Sequence, residues 1–200
     1  MNPDKKKNLL AKFTIQERAE NVSNLIATIP GETASREGLA DTPVRVAAMY
    51  EELFCGYTQD GKQILEDAMF SDGGSKDLVI VKDIQLYSTC EHHMMPFFGT
   101  ATVAYIPQDG RIVGLSKIAR LVEVYARRLQ VQERLGQQIA NDIEAVMNPR
   151  AIAVIIKAEH TCMTARGVQK PGTQTITSCL RGSFIMDGKA REELTALMKL

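Results

Sequence analysis

Leu78-Val79-Ile80-Val81-Lys82-Asp83-Ile84-Gln85-Leu86-Tyr87 and Thr100-Ala101-Thr102-Val103-Ala104-Tyr105-Ile106 are two runs rich in β-branched and aromatic residues. Such side chains suit the pleated surface of a sheet, so both runs read as strands. Pro107-Gln108-Asp109-Gly110 predicts a turn joining the second run to Ile112-Val113. Helical spacing follows: Ser116 stands where a cap is expected, ahead of Ile118, Leu121, Val122, Tyr125 and Leu129 on one face. Leu135, Ile139, Ile143 and Met147 make a second stripe that Asn148-Pro149 ends. Both stripes are ordinary core faces. Residues 151–157 and 173–180 predict two more strands, and 191–200 a closing helix.

Upstream the pattern is helical. Ala19, Val22, Leu25 and Ile26 give residues 15–29 an apolar face, and a loop over 30–38 follows. Asp41-Thr42-Pro43 supplies a cap and a first-turn proline for a helix over 44–54. Asp72-Gly73-Gly74-Ser75 reads as a loop and as the boundary between two regions. The expectation is an α+β chain: an N-terminal helical region at 1–76, then at 77–200 a mostly antiparallel sheet with two long helices. Internal repeats and low-complexity segments are absent from the sequence.

Composition excludes several classes. Lysine plus arginine and aspartate plus glutamate both number 24 in 200 residues, so no bulk charge points to nucleic acid or a membrane surface. Apolar runs such as 151–156 are too short to span a bilayer. Met1-Asn2-Pro3-Asp4-Lys5-Lys6-Lys7 leads into a mixed polar stretch without a signal peptide's apolar region. The four cysteines are therefore expected as reduced thiols in a cytoplasmic protein. Cys55 and Cys179 have no ligand-type neighbour and read as packing residues.

The other two cysteines stand beside all three histidines, in Cys90-Glu91-His92-His93 and Glu159-His160-Thr161-Cys162. Thiolate and neutral imidazole are the preferred ligands of zinc. The Cys90-x-x-His93 spacing lets one turn wrap two side chains around a metal, although spacing alone does not choose between His92 and His93. Cys162 supplies a third ligand from far along the chain. Three protein ligands leave a position for water, the mark of a catalytic site, whereas a structural site would recruit a fourth from His92 or His160. A zinc nucleobase deaminase also uses one histidine and two cysteines, but its His-x-Glu and Pro-Cys-x-x-Cys are absent here.

The segment Cys90-Glu91-His92-His93-Met94-Met95-Pro96-Phe97-Phe98-Gly99 resembles the zinc segment of the GTP cyclohydrolase I family. Gly114-Leu115-Ser116-Lys117-Ile118-Ala119-Arg120, Gln130-Val131-Gln132-Glu133-Arg134-Leu135 and Glu159-His160-Thr161-Cys162-Met163 are similar to it in the same order. So are Arg166-Gly167-Val168 and the stretch from Arg36 to Val46, and the resemblance runs over residues 15–195. It implies a tunnelling fold (T-fold) assembled as a toroidal homodecamer with active sites between subunits. The implied reaction converts GTP and water to 7,8-dihydroneopterin triphosphate and formate.

The resemblance also implies roles. Cys90, His93 and Cys162 would hold Zn2+, which acidifies a bound water and so furnishes a nucleophile for C8 of guanine. His160 would protonate the imidazole ring nitrogen, and His92 would assist proton traffic or orient the ribose. Glu133 would anchor the guanine edge with Gln132 in support. Arg45, Lys117, Arg120 and Arg166 would clamp the triphosphate, with backbone donors at Ser116. Ala48 departs from the family, whose members often carry a basic residue there. Two rivals share the T-fold: a non-catalytic binder with structural zinc, and the nitrile reductase of deazapurine metabolism. The second uses a cysteine nucleophile without zinc, and the paired Cys/His segments speak against it.

Overall fold

The computed structural model describes residues 14–71 and 76–200, so the expected loop at 72–75 and the chain start lie outside the described residues. The chain divides into two compact units, Met1–Thr58 and Gln59–Leu200. The division falls ahead of the pattern change near residue 77, because a short helix at Gly61–Glu66 packs on the two long helices of the second unit.

In the N-terminal unit, α1 (Ile15–Ala27) starts at a capping box. Thr14 accepts from the Glu17 amide while the Glu17 carboxylate accepts from the Thr14 amide. α2 (Thr42–Leu53) has Pro43 in its first turn as expected, but Asp41 makes no side-chain cap bond; its carboxylate accepts from Arg45 at 2.9 Å. Arg18 of α1 pairs with Glu51 of α2.

The second unit runs α3 (Gly61–Glu66), β1 (Met69–Ser71), β2 (Val79–Cys90), β3 (Pro96–Ile106), β4 (Arg111–Val113), α4 (Leu115–Ala126), β5 (Leu129–Gln130), α5 (Gln132–Met147), β6 (Ala151–His160), α6 (Thr161–Thr164), β7 (Gln174–Gly182), α7 (Ser183–Met186) and α8 (Gly188–Met198). β2, β3, β6 and β7 form an antiparallel sheet to which β5 adds a short parallel edge, in the order β5-β2-β3-β6-β7. Sheet and helices together make the α+β class expected from the sequence.

The turn at Pro107–Gly110 joins β3 to β4 as expected, and β4 pairs with β1, a strand the sequence pattern does not reveal. Two local expectations are corrected. Leu129 leaves the helix to join β5, with Thr89 as its partner. Ser116 is not the cap of α4: Gly114 holds that position, and Ser116 is exposed in the first turn.

α4 and α5 lie on one face of the sheet, where Leu121, Val122, Leu135, Ile139 and Ile143 meet Leu86, Phe97, Val103, Val154 and Ile156, all buried. On the other face Phe184 and Leu194 of the C-terminal helices cover Ala104 and Ala153. β2 reaches the main core through a bulge. Val81 pairs with Val103 and Ile84 with Ala101, so three residues of β2 span two of β3, with Asp83 at φ 55°. The extra residue keeps Ile84, Leu86 and Cys90 on the same face as Val79 and Val81. Among the described residues no helix is long and apolar enough to cross a membrane.

Candidate metal centre and active site

β2 and β6 run the same way, so Cys90 and His160 finish at one end of the sheet. Phe97 pairs with His160 across the β3–β6 ladder. Close by in that ladder, a Cβ on Gly99 would lie 2.0 Å from the Lys157 carbonyl, so glycine there lets the two strands close up.

After Cys90 the chain makes a tight turn. The Met94 amide donates to the Cys90 carbonyl and the Cys90 amide to the Met95 carbonyl, both at 2.8 Å, with Met94 at φ 52°. The turn is tied down sideways as well. The Glu91 amide donates to the Gln130 carbonyl, and the Glu91 carboxylate pairs with Arg134 from the first turn of α5. Arg134 holds the Glu91 carboxyl below its ordinary range. Cys162 arrives from the single turn of α6, whose Thr161 hydroxyl donates to the Pro96 carbonyl at 2.6 Å.

These tethers bring the Cys90 and Cys162 sulfurs to 3.9 Å, and one ring nitrogen of His93 completes a group whose ligand atoms all lie within 4.8 Å of one another. Burial, and then the Cys90 sulfur, push the Cys162 thiol above its ordinary range. A bound cation reverses that preference by stabilising thiolate. Two thiols and an imidazole around one point are the donor set that a thiophilic divalent metal takes, and the set fits a metal ion. His92, next in the chain, is not part of this group; its Nδ1 lies 4.0 Å from the Cys90 sulfur.

Beside these three side chains is a cavity of about 200 Å³ whose lining includes Cys90, His92, Gln132, Glu133, His160 and Cys162. His160 stacks on buried Phe97, ring centroids 4.5 Å apart and planes 8° from parallel. Burial lowers its pKa, while Glu133 pulls the other way. Gln132, 2% exposed, bonds to His160 and to the backbone of β6 and β7. Glu133 is exposed at the cavity mouth and also borders a second cavity of about 400 Å³ against β7.

The basic residues lie further out. Arg166 is exposed and donates to His93 Nε2 at 2.7 Å, which makes that nitrogen an acceptor. Lys117 and Arg120 project from the first turns of α4, Arg120 exposed and Lys117 half-buried. Arg45 belongs to the N-terminal unit, where it pairs with Asp41. Two contributors carry no role in the sequence reading: Phe97, and the Glu91–Arg134 pair. Both lie inside segments that bear ligands, but nothing in their spacing announces a partner 63 or 43 positions away.

Residues 18–199 match the GTP cyclohydrolase I family. This chain belongs to that family. Its relatives named GTP cyclohydrolase 1 include proteins of Caldanaerobacter subterraneus subsp. tengcongensis, 50% identical over 92% of this chain and 96% of the relative, and of Thermoanaerobacter pseudethanolicus, 52% identical over 84% and 88%. A third, from Carboxydothermus hydrogenoformans, is 51% identical over 92% and 94%. Membership in the GTP cyclohydrolase I family makes the chain a GTP-binding hydrolase of pterin and folate biosynthesis.

Proposed function

We propose that the chain opens the imidazole ring of GTP at a zinc ion held by Cys90, His93 and Cys162, yielding 7,8-dihydroneopterin triphosphate and formate. The observation that carries this reading is the convergence of Cys90 and Cys162, the two sulfurs of that group, with His160 and Glu133 on one cavity. Zinc supplies, when bound, Lewis acidity and an acidified water near neutral pH.

The chain's own residues do the rest. His160 carries a proton to or from the purine ring as the C8–N bond breaks, and His92 relays protons or orients the ribose. Glu133 accepts from N1–H and the exocyclic amine of guanine. Lys117, Arg120, Arg166 and Arg45, with the first-turn backbone donors at Ser116, bind the triphosphate. Arg166 would exchange His93 for phosphate when GTP arrives. The catalytic machinery lies in 77–200 with the T-fold topology, apart from Arg45. Incubation of the zinc-loaded protein with GTP tests the whole reading: formate and an oxidisable, fluorescent pterin are expected, and zinc-replete protein that releases neither would overturn it.

Glu133→Ala is expected to weaken GTP binding sharply, because guanine donors lose a charged acceptor worth roughly 1–3 kcal/mol or more. Equilibrium binding measured by calorimetry checks this; unchanged affinity would place the guanine elsewhere. The assembly we propose is a homodecamer. Its physical motive is the outermost position of β7 in the sheet, since a strand edge left open is a liability that a closed ring removes. Light scattering is expected to find a ring-sized oligomer, and a stable, fully active monomer would refute sites shared between subunits.

A further inference from the structure

We propose that Gln132 is a positioning residue that holds His160 in one tautomer, with hydrogen on Nε2, and so reserves Nδ1 for proton exchange with the substrate. The role of His160 in that exchange rests on the function proposed above; its tautomer does not.

The chemistry of the contacts fixes which way the Gln132 amide faces. Its Nε2 lies 3.0 Å from the Ile156 carbonyl, 3.1 Å from the Thr175 carbonyl and 3.1 Å from the Thr177 hydroxyl. Carbonyl oxygens only accept, so the group facing them must be the NH2. The reverse orientation would set an oxygen against two carbonyl oxygens inside a buried site and turn the NH2 away from these acceptors, a costly arrangement. The Gln132 oxygen therefore faces His160 Nε2 at 2.9 Å. An amide oxygen only accepts, so His160 Nε2 must donate. The hydrogen on Nε2 follows from backbone carbonyls on two strands, relayed through one amide.

The ring is held against turning over as well. Phe97 covers one face in a near-parallel stack, and the Nε2–H bond fixes the rotation about the side chain. Nδ1 has no hydrogen-bond partner among the described residues. One nitrogen is thus committed to the protein and the other left for chemistry, the division of labour by which a histidine's second nitrogen sets the behaviour of the first. The proton arrives at Nδ1 and leaves from Nδ1, and Nε2 keeps its own throughout.

The assignment also separates Gln132 from Glu133. Consecutive residues on a helix point about 100° apart. Both line the cavity, but Glu133 is exposed there whereas the buried Gln132 amide is spent on β6, β7 and His160. With its amide committed to the protein, Gln132 contributes to turnover and not to guanine affinity.

The test uses zinc-loaded protein with 15N-labelled histidine. Long-range 1H–15N correlation spectra report which ring nitrogen carries hydrogen, and the His160 signals are those missing from His160→Ala. Wild-type protein without substrate is expected to show His160 as the Nε2–H form alone. Gln132→Met, similar in volume but unable to accept this hydrogen bond in the same way, should show mixed tautomers. Its kcat should fall ~10-fold or more, towards the ~10²–10⁴-fold that losing an acid–base group costs, with GTP affinity unchanged. Hydrogen on Nδ1 in the wild type would overturn the proposal, and that reading stands even if the variant fails to fold. A Gln132→Met protein with weakened GTP binding and undiminished kcat would overturn it too, making Gln132 a base contact. Full turnover in His160→Ala would instead sink the function assigned to His160 while leaving the tautomer result intact.

Discussion

Cys162→Ser is expected to lose both bound zinc and turnover. The serine hydroxyl is a hard, weakly acidic donor where the metal wants a soft thiolate. Among the described residues the group that could hold the metal is Cys90, His93 and Cys162, so losing one leaves two. Cys162 reaches this group from a separate segment, through α6 and the Thr161–Pro96 bond. Without it the metal would be held only by a single turn after β2. Metal analysis of purified wild-type protein should find about one zinc per chain, as a three-ligand catalytic site implies. Cys90→Ser should behave alike. Full zinc content in either variant would remove the proposed ligand set, and with it the open coordination position on which the chemistry depends.

His160→Ala should keep its zinc and its affinity for GTP while losing most ring opening, by ~10²–10⁴-fold, the usual contribution of a general acid or base. The geometry sets these expectations apart. His160 lies beside the ligand group but outside it, stacked on Phe97 and bonded to Gln132. Removing the ring therefore empties part of the cavity wall without touching a sulfur ligand. Stopped-flow turnover together with metal analysis decides the matter. Loss of zinc from this variant would make His160 a fourth ligand, and the site a closed, structural one.

Much of this could be read in the chain before any folding was known. Strand-type runs at 78–87 and 100–106 and the stripe from Leu135 to Met147 appear as α+β elements close to their expected bounds, since each depends on local alternation or helical spacing. The paired Cys/His segments pointed to a metal from residue chemistry but left His92 and His93 open, and the fold brings His93 together with the two sulfurs. Local reading went astray where a partner was distant. The turn before β4 was legible, but the pairing of β4 with β1 was not, because a three-residue strand has too little pattern to be seen. Gln132 read only as a support for Glu133, and its bonds to His160, β6 and β7 could not be seen because those partners are dozens of positions away.

What the sequence determined by itself was the kind of chemistry and the kinds of elements, because ligand preference and hydrophobic periodicity belong to the residues and their spacing. Tertiary structure alone decided which atoms meet. The bulge at Asp83 shifts β2 by one residue against β3 and so delivers Cys90 to the helix-covered face. The first turn of α5 brings Gln132 to β6 and β7, leaves Glu133 exposed at the cavity that both line, and clips Arg134 to the turn after Cys90. Those outcomes depend on strand register and on contacts between residues dozens of positions apart, and neither is encoded in any local window of the chain.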